Sequence, residues 1–333
     1  MGINGLNKLF KKYIPEIKQR KSIEYYRGSK FAIDTSIWLY KYINLSNKND
    51  SHPNMYLINF TNQIINMLNN GILPVFCFDG IPPIEKAPVL EKRFLTKEKI
   101  KDKIKECGSE QIDKKKSLEN QLIYVSKHHK EQLKELLRLL NVPYIVAEGE
   151  AEELCAYLQK KNIIDFTVTE DSDALVFGCS NVLKMTPNMR YVYTQYNLKD
   201  ILYHLKISYN QFIDICILLG CDYCSSIYRL GPVNSYSIIT KYGSIENALD
   251  YIQKNYTIPD NFDYEKARWL FLNSKNTIEN IPTLGSVEDL SHKELRKYFI
   301  TLGFTDKYFN LVYKKLTNAY INFHHLHPTD AIL

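Results

Sequence analysis

Carboxylates recur where strand-like runs end. "KFAI" ends at Asp34, "PVFCF" at Asp79, "PYIVA" at Glu148 with Glu150 two residues on, and "FTVT" at Glu170-Asp171, followed by Asp173. Asp222 follows the apolar run "ILLGC". A lone Asp in such a place reads most simply as the N-cap of the next helix. Four strand ends weaken that reading, and so does the spacing of two within Glu148/Glu150 and Asp171/Asp173. One member of each pair can cap, but the other must also be accommodated. If the strands are parallel, their C-terminal ends share one edge, where α/β proteins bind ligands. Acids crowded there raise one another's pKa. Divalent cations relieve that repulsion, because Mg2+ takes oxygen ligands and keeps waters for phosphate. Two such ions about 4 Å apart can stabilise the attacking and leaving oxygens of phosphodiester hydrolysis. The expected chemistry is two-metal phosphodiester hydrolysis. The alternative of another class is an aspartyl-nucleophile phosphotransferase or phosphatase, suggested by the Asp-x-Asp in "EDSDA"; it needs one nucleophilic Asp and little of the remaining set. A nucleic-acid-binding protein without chemistry is the third reading.

The elements that would position these acids alternate along the chain. "NGLNKLFKKYI" predicts a helix, "KFAIDTS" a strand, "MYLINFTNQIINMLNNG" an amphipathic helix closed by Gly71, and "LPVFCFDG" a second buried strand. "VPYIVAEGEAEELCAYLQKKN" predicts a strand running into a helix, and "IIDFTVTEDSDALVFG" opens on another buried strand. Strands alternating with helices imply an α/β fold, with a mostly parallel twisted sheet covered by helices on both faces. From residue 197 the chain reads as mainly helical, including one continuous run "LKDILYHLKISYNQFIDICILLG". Residues 84–130 are lysine-rich and poor in apolar residues until "LIYVSKHHKEQLKELLRLL". They read either as a solvated helical hairpin or as a basic element that grips a phosphate backbone.

Bulk properties narrow the class. At 333 residues and 45% hydrophobic content the chain can build a sizeable core in one or two domains. No run of eighteen apolar residues occurs, so no membrane span is expected. Seven scattered cysteines, an odd number, fit buried free thiols in a reducing interior. Cys221-x-x-Cys224 has no second pair to complete a zinc site, and the histidines of "HHLHP" read as a solvated terminus. The net charge of +6 hides an asymmetry: with seven acids in one site, 43 basic residues face 30 acids elsewhere. A basic exterior around an acidic pocket suits a polyanion.

Six motifs in order resemble the flap endonucleases of the structure-specific 5′-nuclease superfamily (XPG/Rad2-like). They are "MGINGLNKLF", "AIDTSIWLY", "PVFCFDGIPP", "AEGEAEELCA", "TEDSDALVFG" and "CILLGCDYC". "IPDNFDYEKARWLFL" is similar to that family's C-terminal region, and the resemblance runs from residue 1 to about 316. It implies a PIN-like 5′-nuclease fold that cuts DNA near single-strand/double-strand junctions, as a 5′ flap endonuclease and 5′–3′ exonuclease in replication and repair. An exonuclease-like or junction-resolving member of the superfamily is the alternative. It also implies a division into an N-terminal nuclease region (1–105), a helical arch (84–130), an internal nuclease region (120–250) with a helix–two-turn–helix element at 216–250, and a helical extension (251–333).

The resemblance further implies roles. Asp34, Asp79, Glu148, Glu150, Asp171, Asp173 and Asp222 would hold two Mg2+ ions, for which Mn2+ can substitute, with Asp171 also counted as catalytic. Lys86 and Arg93 would steer the scissile phosphate from the base of the arch; their spacing of seven is two helical turns. Tyr40 would stack on a nucleobase, Gly2 would thread near the active site, and Gly231 would lie against DNA. Main-chain carbonyls of Ser226, Ile227 and Leu230 would hold K+, although Arg229 stands where the family usually has glycine, and Val233 and Asn234 replace basic residues. Glu170 is expected to point away or to support the ligands from behind. The 3′-flap pocket matches poorly apart from Phe304. The expected partner is branched DNA with a 5′ flap, bound by a monomer. The closing "HHLHPTDAIL" carries no sliding-clamp motif. The expected location is intracellular: the nucleus, or another site of DNA replication such as a viral factory.

Overall fold

The computed structural model describes residues 2–48, 52–107, 111–122, 124–187, 189 and 191–327. The tail after residue 327 and positions 108–110 and 123 of the basic segment lie outside the described residues. Seven strands are described: β1 (Gln19–Ser22), β2 (Lys30–Asp34), β3 (Leu73–Phe78), β4 (Tyr144–Val146), β5 (Phe166–Val168), β6 (Asn181–Met185) and β7 (Val192–Asn197). The chain divides into two compact units. One comprises Met1–Ser22, Asp79–Val89 and Ala147–Ile278; the other comprises Ile23–Phe78, Leu90–Val146 and Glu279–Leu333.

In the second unit β2, β3 and β4 pair in parallel, with Asp34 level with Cys77 and Phe78 level with Val146. β3 is buried at every residue, and β2 is buried at every residue after Lys30, which is why both read as continuous apolar runs. Trp38 and Tyr42, on the helix Thr35–Lys48, meet Phe60 on the helix Met55–Asn69 and, through Trp38, Phe76 on β3. Offset and edge-on rings of this kind are attractive beyond their burial. Phe304 is buried and stacked on Tyr308, with Phe299 beside it. It packs as a core residue.

In the first unit β5 pairs in parallel with β6, while β6–β7 and β1–β7 are antiparallel. Three of the five pairings within the units are parallel, so the mostly parallel α/β class expected from the sequence is the one observed. β5 is only three residues long, so most of the apolar stretch before Asp171 lies outside the strand. Three helices are tied by charge. Asp214 on the helix Tyr209–Leu219 accepts from the Ile245 N–H at 3.1 Å, and Arg268 bonds both Asp214 and Glu246.

Several expectations need correction. The continuous helix read over 198–219 is two helices, Leu198–Leu205 and Tyr209–Leu219. Lys206 is left-handed at the break, and a capping box between Ser208 and Gln211 starts the second helix. The histidine-rich end is not a solvated tail throughout: His324 and His325 close the helix Asp306–Leu326. His324 Nε2 lies 3.1 Å from the Gly285 carbonyl oxygen and His327 Nε2 lies 2.9 Å from that of Gly71. Lys86 falls in a 3-10 turn ahead of the helix Ala87–Glu106, so the seven residues to Arg93 are not two turns of one α-helix.

Candidate active site

The strand ends deliver acids; Asp34 and Asp79 cap helices, and Asp171 closes a turn just ahead of one. Asp34 Oδ1 accepts from the Ser36 N–H at 3.1 Å, Asp79 Oδ1 from the Ala151 N–H at 3.1 Å, and Asp171 Oδ1 from the Asp173 N–H at 3.1 Å. Asp79 thereby supplies the cap that Glu150, at the N-cap position of the helix Ala151–Lys160, does not. A carboxylate has about four lone-pair sites, so capping with one oxygen does not preclude ligation. Capping and ligand readings are compatible for these residues.

The first unit concentrates Asp79, Glu148, Glu150, Asp171, Asp173 and Asp222. Asp173 is 4% exposed, and its Oδ1 has no hydrogen-bond partner among the described residues. Its pKa is pushed well up, first by burial and then by the charges of Asp171 and Asp222. Lys86 answers part of this charge. Its ammonium bonds Glu150 Oε1 and lies 3.1 Å from Asp222 Oδ2. Burial alone would lower the Lys86 pKa, but the Glu150 and Asp222 carboxylates outweigh burial and raise it. The other Glu150 oxygen accepts from the Tyr223 hydroxyl, whose pKa is raised by burial and by Glu150. Tyr223 is itself held in a ring cluster with Phe177 and Phe271. Glu148 is exposed, and its N–H donates to Asn276 Oδ1 at 3.3 Å.

The N-terminal segment is pressed into the same place. Gly2 has φ +95°, and a Cβ there would fall 2.0 Å from Asp171 Oδ1 and 2.7 Å from Ser172 Oγ. No side chain fits, which gives the glycine its physical reason. The Ile3 N–H donates to Ser172 Oγ at 3.1 Å. Glu170 turns away, as expected: its Oε1 accepts from the Met185 N–H at 2.9 Å and its carbonyl from Lys184 Nζ at 2.7 Å. Sequence reasoning missed Tyr223, Ser172 and Asn276. Only Tyr223 carried a signal, its place beside Asp222.

As they stand, no three acidic, His or Cys side chains among the described residues converge on one point closely enough to hold a metal ion. Lys86 supplies the cation between Glu150 and Asp222. The donor set nonetheless fits a hard divalent ion: it is all oxygen, it is crowded with like charge, and it contains a buried carboxylate oxygen without a partner.

Asp34, Tyr40 and Arg93 belong to the second unit. Asp34 is buried at the end of β2, while Tyr40 is 44% exposed on the helix that buries Trp38 completely. Between the helices Tyr209–Leu219 and Pro232–Tyr242 the chain makes tight turns. The Leu230 N–H donates to the Ile227 carbonyl at 3.1 Å, and Arg229 adopts φ +63°. Arg229 thus keeps the left-handed turn without glycine, at a cost of roughly 1–2 kcal/mol. Its guanidinium lies 5.2 Å from the Tyr228 ring centroid. A Cβ on Gly231 would meet nothing within 4 Å, so its backbone lies open to approach.

Fold and site together define a class, the nucleases of the XPG type. Residues 1–100 match the XPG N-terminal domain and residues 141–222 the XPG I-region. Flap endonuclease 1 of Danio rerio is 38% identical over 287 residues, covering 82% of this chain and 75% of that protein. Flap endonuclease 1 of Entamoeba dispar is 33% identical over 330 residues, covering 93% and 84%. Among solved structures, the catalytic core of Rad2 in complex with DNA substrate superposes with a TM-score of 0.74 at 23% identity, covering 95% of this chain and all of that one. Flap endonuclease-1 from Methanococcus jannaschii superposes at 0.69 and 24%, covering 95% and 98%. The chain belongs to the flap endonuclease family.

Proposed function

We propose that this chain is a metal-dependent, structure-specific 5′ flap endonuclease with 5′–3′ exonuclease activity, hydrolysing DNA phosphodiesters near single-strand/double-strand junctions. The observation that carries the reading is the buried, electrostatically crowded carboxylate cluster built around Lys86, in a chain similar to flap endonucleases over most of its length. Asp79, Glu148, Glu150, Asp171, Asp173 and Asp222 would hold two Mg2+ ions, and the family resemblance implies Asp34 as a further ligand. When bound, those ions supply an activated water and offset negative charge on the scissile phosphate.

The chain's own residues do the rest. Lys86 holds Glu150 and Asp222 in the free enzyme, and its ammonium donates to a phosphate oxygen when substrate enters. Tyr223 fixes the orientation of Glu150. Gly2 lets the N-terminal segment lie against Asp171. Arg93 is the second phosphate-steering cation. The exposed Tyr40 ring offers a face to a nucleobase. Arg229 and the open Gly231 backbone would meet duplex phosphates, and carbonyls of Ser226, Ile227 and Leu230 would take K+. The division is into nuclease regions 1–105 and 120–250 with 251–333 as a helical extension; the family matches at 1–100 and 141–222 support it without setting these bounds. The working unit is a monomer acting where DNA replicates; no described helix is long and apolar enough to cross a membrane.

The test offers labelled 5′-flap, nicked, gapped, bubble and four-way-junction DNAs with Mg2+, then with EDTA. Preference for the flap, abolished by EDTA, is expected. Preference for nicks and blunt ends would make it an exonuclease, and junction cutting a resolvase. Phosphate release from a small phosphomonoester without DNA cutting would favour the phosphotransferase class.

A further inference from the structure

The loop between Asp79 and Lys86 reads Gly80-Ile81-Pro82-Pro83-Ile84-Glu85. Ile81 is 81% and Ile84 is 82% exposed, the highest values of any large apolar side chain among the described residues. Exposed apolar residues are ordinary on a protein surface; these two differ in how firmly they are held. The Gly80 N–H donates to the Gly149 carbonyl at 2.8 Å and the Ile81 N–H to the Glu148 carbonyl at 3.2 Å. The approach is so close that a Cβ on Gly80 would fall 2.0 Å from the Ala147 carbonyl oxygen. Pro82 and Pro83 fix two successive φ angles. The Lys86 N–H closes the turn on the Pro83 carbonyl at 3.0 Å, and Glu85 pairs with Lys266 at 3.4 Å. The loop is pinned to the Glu148 and Gly149 carbonyls at one end. At the other it runs into Lys86, whose ammonium sits among the acids.

Two exposed isoleucines on a pinned loop beside a cluster of charges are not groups that bind phosphate. Two isoleucines present on the order of a few hundred Å2, well short of the roughly 1,200 Å2 that a stable protein interface buries. The area and apolar character match the face of a single nucleobase, against which apolar side chains pack without reading sequence. We propose that Ile81 and Ile84 form a shelf that packs against a nucleobase next to the scissile phosphate and so fixes which phosphodiester meets the carboxylates. The shelf rests on the reading of that cluster as the nuclease site.

The experiment is a cycle between protein and DNA. Wild-type chain and the double variant Ile81→Ser/Ile84→Ser are compared in single-turnover cleavage of a 5′-flap substrate with Mg2+. The same substrate is then made with one abasic nucleotide placed in turn at each position around the cut. At more than four-fifths exposure both serines should leave the melting temperature unchanged. The double variant is expected to lose about tenfold in rate on intact DNA. At one position the abasic site is expected to cost the wild type a similar factor and the variant almost nothing further. Losses that multiply at every position, or a variant that cuts at the wild-type rate, would overturn the shelf alone. A wild-type chain that cuts no flap DNA would overturn the nuclease reading and the shelf with it.

Discussion

Gly2→Ala is the smallest change that tests whether the N-terminal segment belongs to the active site. The added methyl would lie 2.0 Å from Asp171 Oδ1, 2.7 Å from Ser172 Oγ and 3.0 Å from Asp173 Oδ1, at a residue with φ +95°. Two relaxations are open. Residues 2–4 can lift, losing the Ile3 N–H bond to Ser172 Oγ at 3.1 Å and the Asn4 N–H bond to the Gly220 carbonyl at 3.3 Å. At about 1 kcal/mol each, that undocks the segment by about 2 kcal/mol. Alternatively the segment stays and Asp171 and Asp173 move, and displacing reacting groups by about 1 Å costs on the order of 100-fold in rate. Either route predicts a loss of roughly 10- to 100-fold in single-turnover cleavage of a 5′ flap. The fold should survive, because Leu6, Leu9 and Phe10 anchor the following helix in the core. Melting followed by circular dichroism checks that, and fluorescence anisotropy checks DNA affinity. Wild-type cleavage by Gly2→Ala would show that the segment's fit against Asp171 has no bearing on the reaction.

Two further expectations follow from charge. Lys86→Ala or Arg93→Ala should cost at least about 100-fold in single-turnover rate and only a few-fold in DNA affinity; an effect on affinity alone would contradict their role at the phosphate. Arg268 holds Glu246 down to about 2 from 4.5 through a side-chain hydrogen bond. A depressed carboxylate contributes stability above its unfolded pKa and loses it as pH falls through the folded value. Glu246 is 41% exposed, so solvent screens the pair to about 1 kcal/mol. Glu246→Gln should therefore be less stable by about that amount at pH 7, with the difference shrinking below pH 4.5 in chemical denaturation. A difference that is constant with pH would exclude the ion pair as its source.

Much of the site was legible because burial and function meet at one point in the chain. Strands such as β2 and β3 are covered on both faces, so they read as apolar runs, and an acid at the end of such a run stands out. The strands of the antiparallel pairings were not legible. β1 is "QRKS", largely exposed, and pairs with residues 192–195 far along the chain. β6 and β7 carry only short alternation, as in "VYTQY". The helix break before Ser208 could have been found from Ser208-x-x-Gln211, a capping box hidden inside a long apolar run. The roles of Ser172 and Asn276 depend on partners more than a hundred residues away, which no local pattern encodes. Lys86 shows a different limit. Its spacing to Arg93 suggested a helical pair, whereas the 3-10 turn and the Glu150–Asp222 cage decide where its ammonium goes.

The central claim is that the acidic edge is a divalent-metal site. Its most direct test is the rise in melting temperature that Mg2+ causes in wild type and in Asp173→Asn, without DNA. Asp173 is buried and its pKa is raised by burial and by Asp171 and Asp222, so its charge costs stability when no cation is bound. In EDTA, Asp173→Asn should melt higher than wild type. Mg2+ should stabilise wild type strongly by binding the native state, and Asp173→Asn far less. Equal Mg2+-induced rises in the two proteins would contradict the account.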